Sequence, residues 1–178
     1  MIRKFLTLMF TAVTVSVHAE DYRFTVDPEC DSIVVYDKND NAVLKYSKQT
    51  ILLQGNPVTQ TKVGKTIVFS DASGEIGTVL SKNYKKIQML DGNVYKRKLY
   101  WKKLKLSYTK DGEICATARY SFDKGFWRIS RHQKAIVEMN TSDAKFVPIL
   151  FFSILAHMQG TIATEEQMLW LNTFTFLY

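Results

Sequence analysis

The stretch KFVPILFFSILAHM, residues 145–158, constrains this chain more than any other. From Phe146 to Met158 apolar residues cover every side of a helix, interrupted only by Ser153 and His157. A helix of that kind is either enclosed by protein or dissolved in lipid. It spans roughly 20 Å, against about 30 Å of bilayer hydrocarbon. Enclosure is the expectation, although extension to Ile162 keeps membrane insertion open. Ser142 or Asp143 is placed to cap its start, and Pro148 falls in a tolerated first turn. Gly160 is placed to close it as a left-handed residue. A chain of 178 residues suggests one domain with a sizeable core. In a domain of that size, a β-barrel closed around the helix can bury it on all sides.

The preceding chain supplies the strands. From Tyr22 to about Asn140, short apolar runs alternate with turn signals. SIVVYDKNDNAVLKYS reads as strand, polar turn, strand, and TIVFSDASGEIGTVLSK repeats the form with its turn at 71–74. KKIQMLDGNVYKRKLYW turns at Asp91-Gly92, and LKLSYTKDGEICATARY at Asp111-Gly112. Aspartate-glycine between apolar runs is a hairpin signal, because a type I′ turn needs positive φ at both central positions. Inside one run Leu104, Leu106 and Tyr108 point one way, and Lys103, Lys105 and Ser107 the other, giving one buried and one wet face. YSFDKGFWRISRHQKAIVEMN holds further strands, with Lys124-Gly125 as a candidate turn. The count reaches about ten strands before Asn140, which predicts a barrel or a sandwich.

The N-terminus reads as an export signal. Arg3 and Lys4 precede an apolar run from Phe5 to Val17, and Val17-His18-Ala19 fits small-residue cleavage after Ala19. The competing reading is an uncleaved anchor, which the run is short for. Residues 1–19 are therefore set aside as a signal peptide, and the protein is expected to be periplasmic or secreted. The chain carries +7, and losing Arg3 and Lys4 leaves +5. Such a balance suits anionic lipid, polyanionic glycan or nucleic acid without choosing among them. The remaining cysteines, Cys30 and Cys115, are a candidate disulfide in an oxidising compartment, or two separate thiols. Two cysteines are too few for a cysteine-rich zinc site.

VVYDKNDNAVLKYSK, IVFSDASGEIGTVLSK, IQMLDGNVYKRKL and FVPILFFSILAHM together resemble the tubby C-terminal-like superfamily. Within it the likeness is to LURP-one-related and phospholipid-scramblase-like proteins, and it covers roughly residues 22–160. The resemblance implies a closed antiparallel barrel of about 10–12 strands around a central hydrophobic C-terminal helix, residues 145–158. It also implies membrane or phosphoinositide binding rather than catalysis. Two features depart from those relatives: the export signal and the tail at 161–178. In that tail Thr164 with Gln167 forms a capping box, and Glu165 and Glu166 suit a helix N-terminus, predicting a short helix to about Leu171. Phe174, Phe176 and Tyr178 then alternate as a packing arm or final strand. They also fit the last strand of an outer-membrane barrel, but the lysine-rich strands lack the apolar outer face that reading needs.

No catalytic constellation is visible, and the protein is expected not to be an enzyme. His132 reads as solvated and His157 as a core histidine. Gly64-Lys65-Thr66 ends like a phosphate loop, but the required earlier glycine is Thr59. The aspartates cluster where turn geometry explains them. No metal ligand set and no cofactor are expected. What stands out is basic and aromatic: Lys82, Lys85, Lys86, Lys96, Arg97, Lys98, Lys102, Lys103 and Lys105, interleaved with Tyr84, Tyr95, Tyr100 and Trp101. Of these, Lys85, Lys86, Lys96, Arg97, Lys98, Lys102, Lys103, Lys105 and Trp101 are the candidate lipid- or anion-binding residues. The plain reading of the same lysines is a solvated sheet face whose edge charges block aggregation. An anionic lipid or membrane surface is the expected partner, with an envelope protein as the alternative. Nucleic acid is not expected for an exported chain.

Overall fold

A computed structural model describes residues 19–27, 30–47, 50–81, 84–100, 104–122 and 134–160. Twelve strands follow one another: β1 (Glu20–Val26), β2 (Ser32–Asp37), β3 (Ala42–Ser47), β4 (Thr50–Leu53), β5 (Asn56–Val63), β6 (Thr66–Asp71), β7 (Gly74–Val79), β8 (Lys86–Met89), β9 (Val94–Tyr100), β10 (Lys105–Lys110), β11 (Glu113–Phe122) and β12 (Ala135–Thr141). Each pairs antiparallel with the next, and β12 returns to β1 over seven residue pairs from Glu20↔Thr141 to Val26↔Ala135. The sheet is a closed barrel, the alternative to a sandwich, and it has no edge strand.

Turn chemistry sets the registers. Asp111 and Gly112 both adopt positive φ, 51° and 90°, as a type I′ hairpin requires. At 91–92 only Gly92 is left-handed, and the loop is built instead by Asp91, whose carboxylate accepts the Asn93 N–H at 2.9 Å. Asp71 does the same for Ser73 at 2.7 Å, and Asp37 for Asn39 and Asn41. Hydrogen bonds hold all three carboxyls below the usual carboxylate range, led by the Asn41 side chain for Asp37, the Ser73 hydroxyl for Asp71 and the Asn93 N–H for Asp91. These aspartates are turn builders, as their positions in the sequence indicated.

The helix threads the sleeve. Asp143 caps a 3-10 turn (Ala144–Phe146) by accepting the Lys145 N–H at 2.9 Å, and α1 follows at residues 147–160. Gly160 is still helical, so it is not the left-handed cap expected of it. Val147, Ile149, Leu150, Phe151 and Ile154 are fully buried. Their partners come from around the whole circumference. Phe146 packs on Tyr95 of β9 and Tyr108 of β10, each at 5.3 Å. Phe151 meets Phe24 of β1 and Tyr46 of β3, Phe152 meets Phe69 of β6, and His157 meets Tyr120 of β11. On β7 the missing side chain of Gly77 matters: a Cβ there would stand 3.0 Å from Ile149 Cδ1. One polar pin crosses the core. Tyr108 donates to the Tyr84 carbonyl at 2.7 Å, and Ser153 of α1 lies 2.8 Å from the same hydroxyl. No described helix is long and apolar enough to cross a membrane.

Both cysteines are free, and register explains why the candidate disulfide does not form. Cys115 adjoins Ala116, which pairs with Thr141 near one rim. Cys30 follows Val26, which pairs with Ala135 and through it with Phe122 near the other rim. Six residues of strand separate those levels, about 20 Å, whereas bridged Cα atoms lie within about 7 Å.

Candidate functional site: the lysine face of β8, β9 and β10

Strands β8, β9 and β10 contain six basic residues and no carboxylate. Alternation sorts them. On β10, Leu106 and Tyr108 are fully buried against α1, so Lys105 faces outward. On β9, Tyr95 turns inward to Phe146, so Lys96 and Lys98 point out and are exposed. On β8, Ile87 and Met89 are buried and Lys86 is exposed.

Register then brings like charges together. Lys86 lies directly opposite Lys96, and Lys98 lies opposite Ser107 on β10. Like charges directly opposite one another destabilise a sheet. No described carboxylate is ion-paired with any of these lysines. Lys98 instead sets its ammonium 5.3 Å from the centre of the Tyr100 ring, a cation–π contact. The acids of this region, Asp91, Asp111 and Glu113, stand at the hairpin tips. There they are accompanied by exposed Leu90, Val94 and Ile114.

The plain explanation for such lysines, protection of a sheet edge, does not apply here, because the barrel is closed. The strands are also neighbours in the middle of a continuous wall. What the arrangement can do chemically is attract a polyanionic surface, with Tyr100 as an amphipathic companion.

Of the residues singled out from sequence, Lys86, Lys96, Lys98 and Lys105 share this outer face, and Lys85 precedes β8 and is exposed. Arg97 does not join them. The alternation that exposes Lys96 and Lys98 turns Arg97 inward, where burial lowers its guanidinium from the ordinary value. Trp101, Lys102, Lys103 and Lys82 lie outside the described residues, as do His132, the Lys124-Gly125 turn, the 161–178 tail and residues 1–18. Ser107 departs from the expected wet face: it is fully buried, and its hydroxyl has no hydrogen-bond partner among the described residues.

The core histidine reading of His157 agrees with its surroundings. It is buried against Tyr120, and burial followed by the nearby Arg97 charge pushes its pKa down to about 4. No group of three metal-ligating side chains occurs among the described residues. No family model, curated protein or solved structure matches the chain.

Proposed function

We propose that this is an exported, non-catalytic barrel protein that docks through the β8–β10 face on an anionic lipid surface. One observation carries the reading: Lys86 opposes Lys96 on a three-strand face without a carboxylate, an arrangement that costs folding energy and gains from an anionic partner. Each basic residue held near an anionic membrane contributes about 1 kcal/mol. Four outward lysines thus supply several kcal/mol, enough for reversible docking. Exposed Leu90, Val94 and Ile114 near the same strands add apolar contacts that a membrane interface accepts. Export is supported by the first described strand starting at Glu20, immediately after the expected cleavage point at Ala19. The closed barrel around an apolar helix agrees with a distant tubby-like relationship, whose membrane-linked members point the same way.

Flotation of the protein with phosphatidylglycerol-containing vesicles, compared with pure phosphatidylcholine vesicles, tests the reading. Binding to the first alone, released by raising salt, is expected. Absence of binding to the anionic vesicles at low salt would overturn it. That result would favour the second reading, a protein-interaction module of the cell envelope. Its supporting observation is the groove over β1, β2 and β12, where Tyr36 and Ile136 are exposed between Arg23 and Asp40.

A further inference from the structure

The barrel wall is least firmly closed between β1 and β2. These strands are seven and six residues long, yet only Tyr22↔Asp37 and Arg23↔Tyr36 are register pairs. The same register continued would join Phe24 to Val35, Thr25 to Val34 and Val26 to Ile33, and none of these pairs forms. The break coincides with a bulge, where β2 shifts its register on β3 between Val35 and Tyr36. A bulge bends its strand and ends regular pairing. Phe24 and Val35 are buried, so the seam is sealed on the core side and opens only outward. There it forms a groove of about 610 Å³, lined by Thr25, Val34, Tyr36 and Ile136 and by the Arg23–Asp40 ion pair. Tyr36 and Ile136 are exposed, and the charges beside them are already matched to each other.

The unpaired seam runs toward the rim at which α1 ends. The helix starts at the opposite rim, where Phe146 packs on Tyr108, which is in line with Ala116 and Thr141. By His157 it has reached Tyr120, in line with Val137 and Phe24, the first unpaired residue of β1. Gly160 lies about 4.5 Å further along, toward the level of Val26. The chain that follows, 161–178, lies outside the described residues. From Gln167 to Tyr178 it carries no charged side chain, and its stretch 173–178, TFTFLY, alternates threonine or leucine with aromatics. Threonine and aromatics favour strands. A segment of this composition, without charge or proline, pairs with other chains when it is left uncovered. Extended, it spans about 20 Å, enough to cover the seam. Residues 161–172 connect it to Gly160, ample to cross the roughly 10 Å from helix axis to wall. Another exposed apolar cluster, Leu90, Val94 and Ile114, stands at the far rim among the hairpin tips.

We infer that residues 173–178 lie extended along the outside of the β1–β2 seam, with Phe174, Phe176 and Tyr178 in the groove against Val34, Tyr36 and Ile136. The chain thereby covers its own least paired closure, and a partner segment reaches this groove only by displacing the tail. The contact depends neither on the lysine face nor on lipid.

A nitroxide on Leu177→Cys tests this in the full chain, with Cys30→Ser and Cys115→Ser so that one thiol is labelled. Methyl resonances are followed by NMR. Strong paramagnetic broadening of Val34 and Ile136 is expected, with Ile114 and Leu90 unaffected. Phe174→Ser with Phe176→Ser should reduce the broadening at Val34 and Ile136 to the level of Ile114 and Leu90. Lys86→Glu with Lys96→Glu should leave it unchanged. Even broadening over both rims, or broadening strongest at Ile114 and Leu90, overturns the inference. So does broadening that persists in the serine double variant. Isotope-labelled protein without nitroxide, mixed with unlabelled protein that carries it, should show no broadening. Broadening there as strong as within one chain would mean that a second copy supplies the tail, and the inference would fall.

Discussion

The outer faces of two adjoining stretches of the wall handle charge differently. Over β11, β12 and β1, opposite charges alternate across the strands. Arg119 bonds Glu138, Glu138 stands opposite Arg23, and Arg23 reaches Asp40. Asn140 extends the row to Asp21 at 2.9 Å. Over β8, β9 and β10, lysine faces lysine. Both stretches have the same strand geometry, lean on the same helix and bury apolar residues at alternate positions. The core therefore does not dictate which pattern the outside adopts. Outward positions of a closed barrel are free to record what the surface meets. The paired face is self-sufficient, and the lysine face is left wanting anions.

If the two faces differ only outside, the shared core should be equally indispensable to each. Phe151 packs on β1 beneath the paired face, and Phe146 on β9 and β10 beneath the lysine face. Phe151→Ala and Phe146→Ala should each cost about 3–5 kcal/mol, the usual loss for truncating an enclosed phenylalanine. Urea unfolding gives both numbers. A near-neutral effect of either would mean that the helix does not seal that half, and the comparison would collapse.

The outer difference should appear in vesicle binding. Lys86→Glu with Lys96→Glu removes two cations from the lysine face, worth about 2 kcal/mol or roughly a 30-fold loss of affinity before the added repulsion. Arg119→Glu with Arg23→Glu removes as many from the paired face. It should cost less than half as much binding, because those cations are already engaged. Equal losses from the two double variants would show that net charge alone drives attraction, and that the lysine face is not a site.

His157 stands between the halves, against Tyr120 of β11 and under the field of Arg97 on β9. Its folded pKa of about 4 lies below the ordinary 6.5. Between those values the unfolded chain binds a proton that the folded chain refuses, so stability falls as pH drops through this window. The loss should be on the order of 1–2 kcal/mol after allowing for screening. The low-lying Asp37, Asp71 and Asp91 act in the other part of the scale. Their stabilisation disappears only below the ordinary 3.8. Urea midpoints at pH 7 and pH 4.5 should therefore converge in His157→Gln. Parallel profiles for the two proteins would discard this account of the histidine.

Much of the architecture was legible because it follows from strong local rules. The all-round apolar run 146–158 demanded an enclosure, and aspartate turns at 71, 91 and 111 marked three hairpins by their chemistry. Other elements carry no such mark. The β4–β5 hairpin turns on Gln54 and Gly55, both at positive φ (50° and 84°), although glutamine is a poor signal for that conformation. Closure of β12 onto β1 joins residues more than a hundred positions apart, and no local pattern encodes it. The candidate site was half legible. A lysine-rich segment is visible as composition, but which lysines share a face depends on strand phase. Tyr95 and Leu99 fix that phase on β9 and take Arg97 inside with them, a consequence that the alternation already contained. The thiols were misjudged as a candidate pair because cysteine count says nothing about which rim each occupies.

The smallest expected effect separates the two faces most cleanly, because its sign differs between them. Lys96→Thr removes the charge opposing Lys86 and installs a residue suited to a strand. Relief of a directly opposed like pair is worth a few tenths of a kcal/mol, up to about 1, so the melting temperature should rise. Glu138→Thr makes the matching change on the paired face, but it leaves Arg119 without its partner and removes the one negative charge standing in register between Arg119 and Arg23. These side chains are largely exposed, and a loss of under about 1 kcal/mol is expected. Thermal unfolding at low and high salt resolves differences of this size. The gain for Lys96→Thr and the loss for Glu138→Thr should both shrink as salt screens the charges. Stabilisation by both substitutions would trace the gain to strand propensity rather than charge. The folding cost assigned to the lysine face, and with it the main reason to seek an anionic partner there, would then disappear.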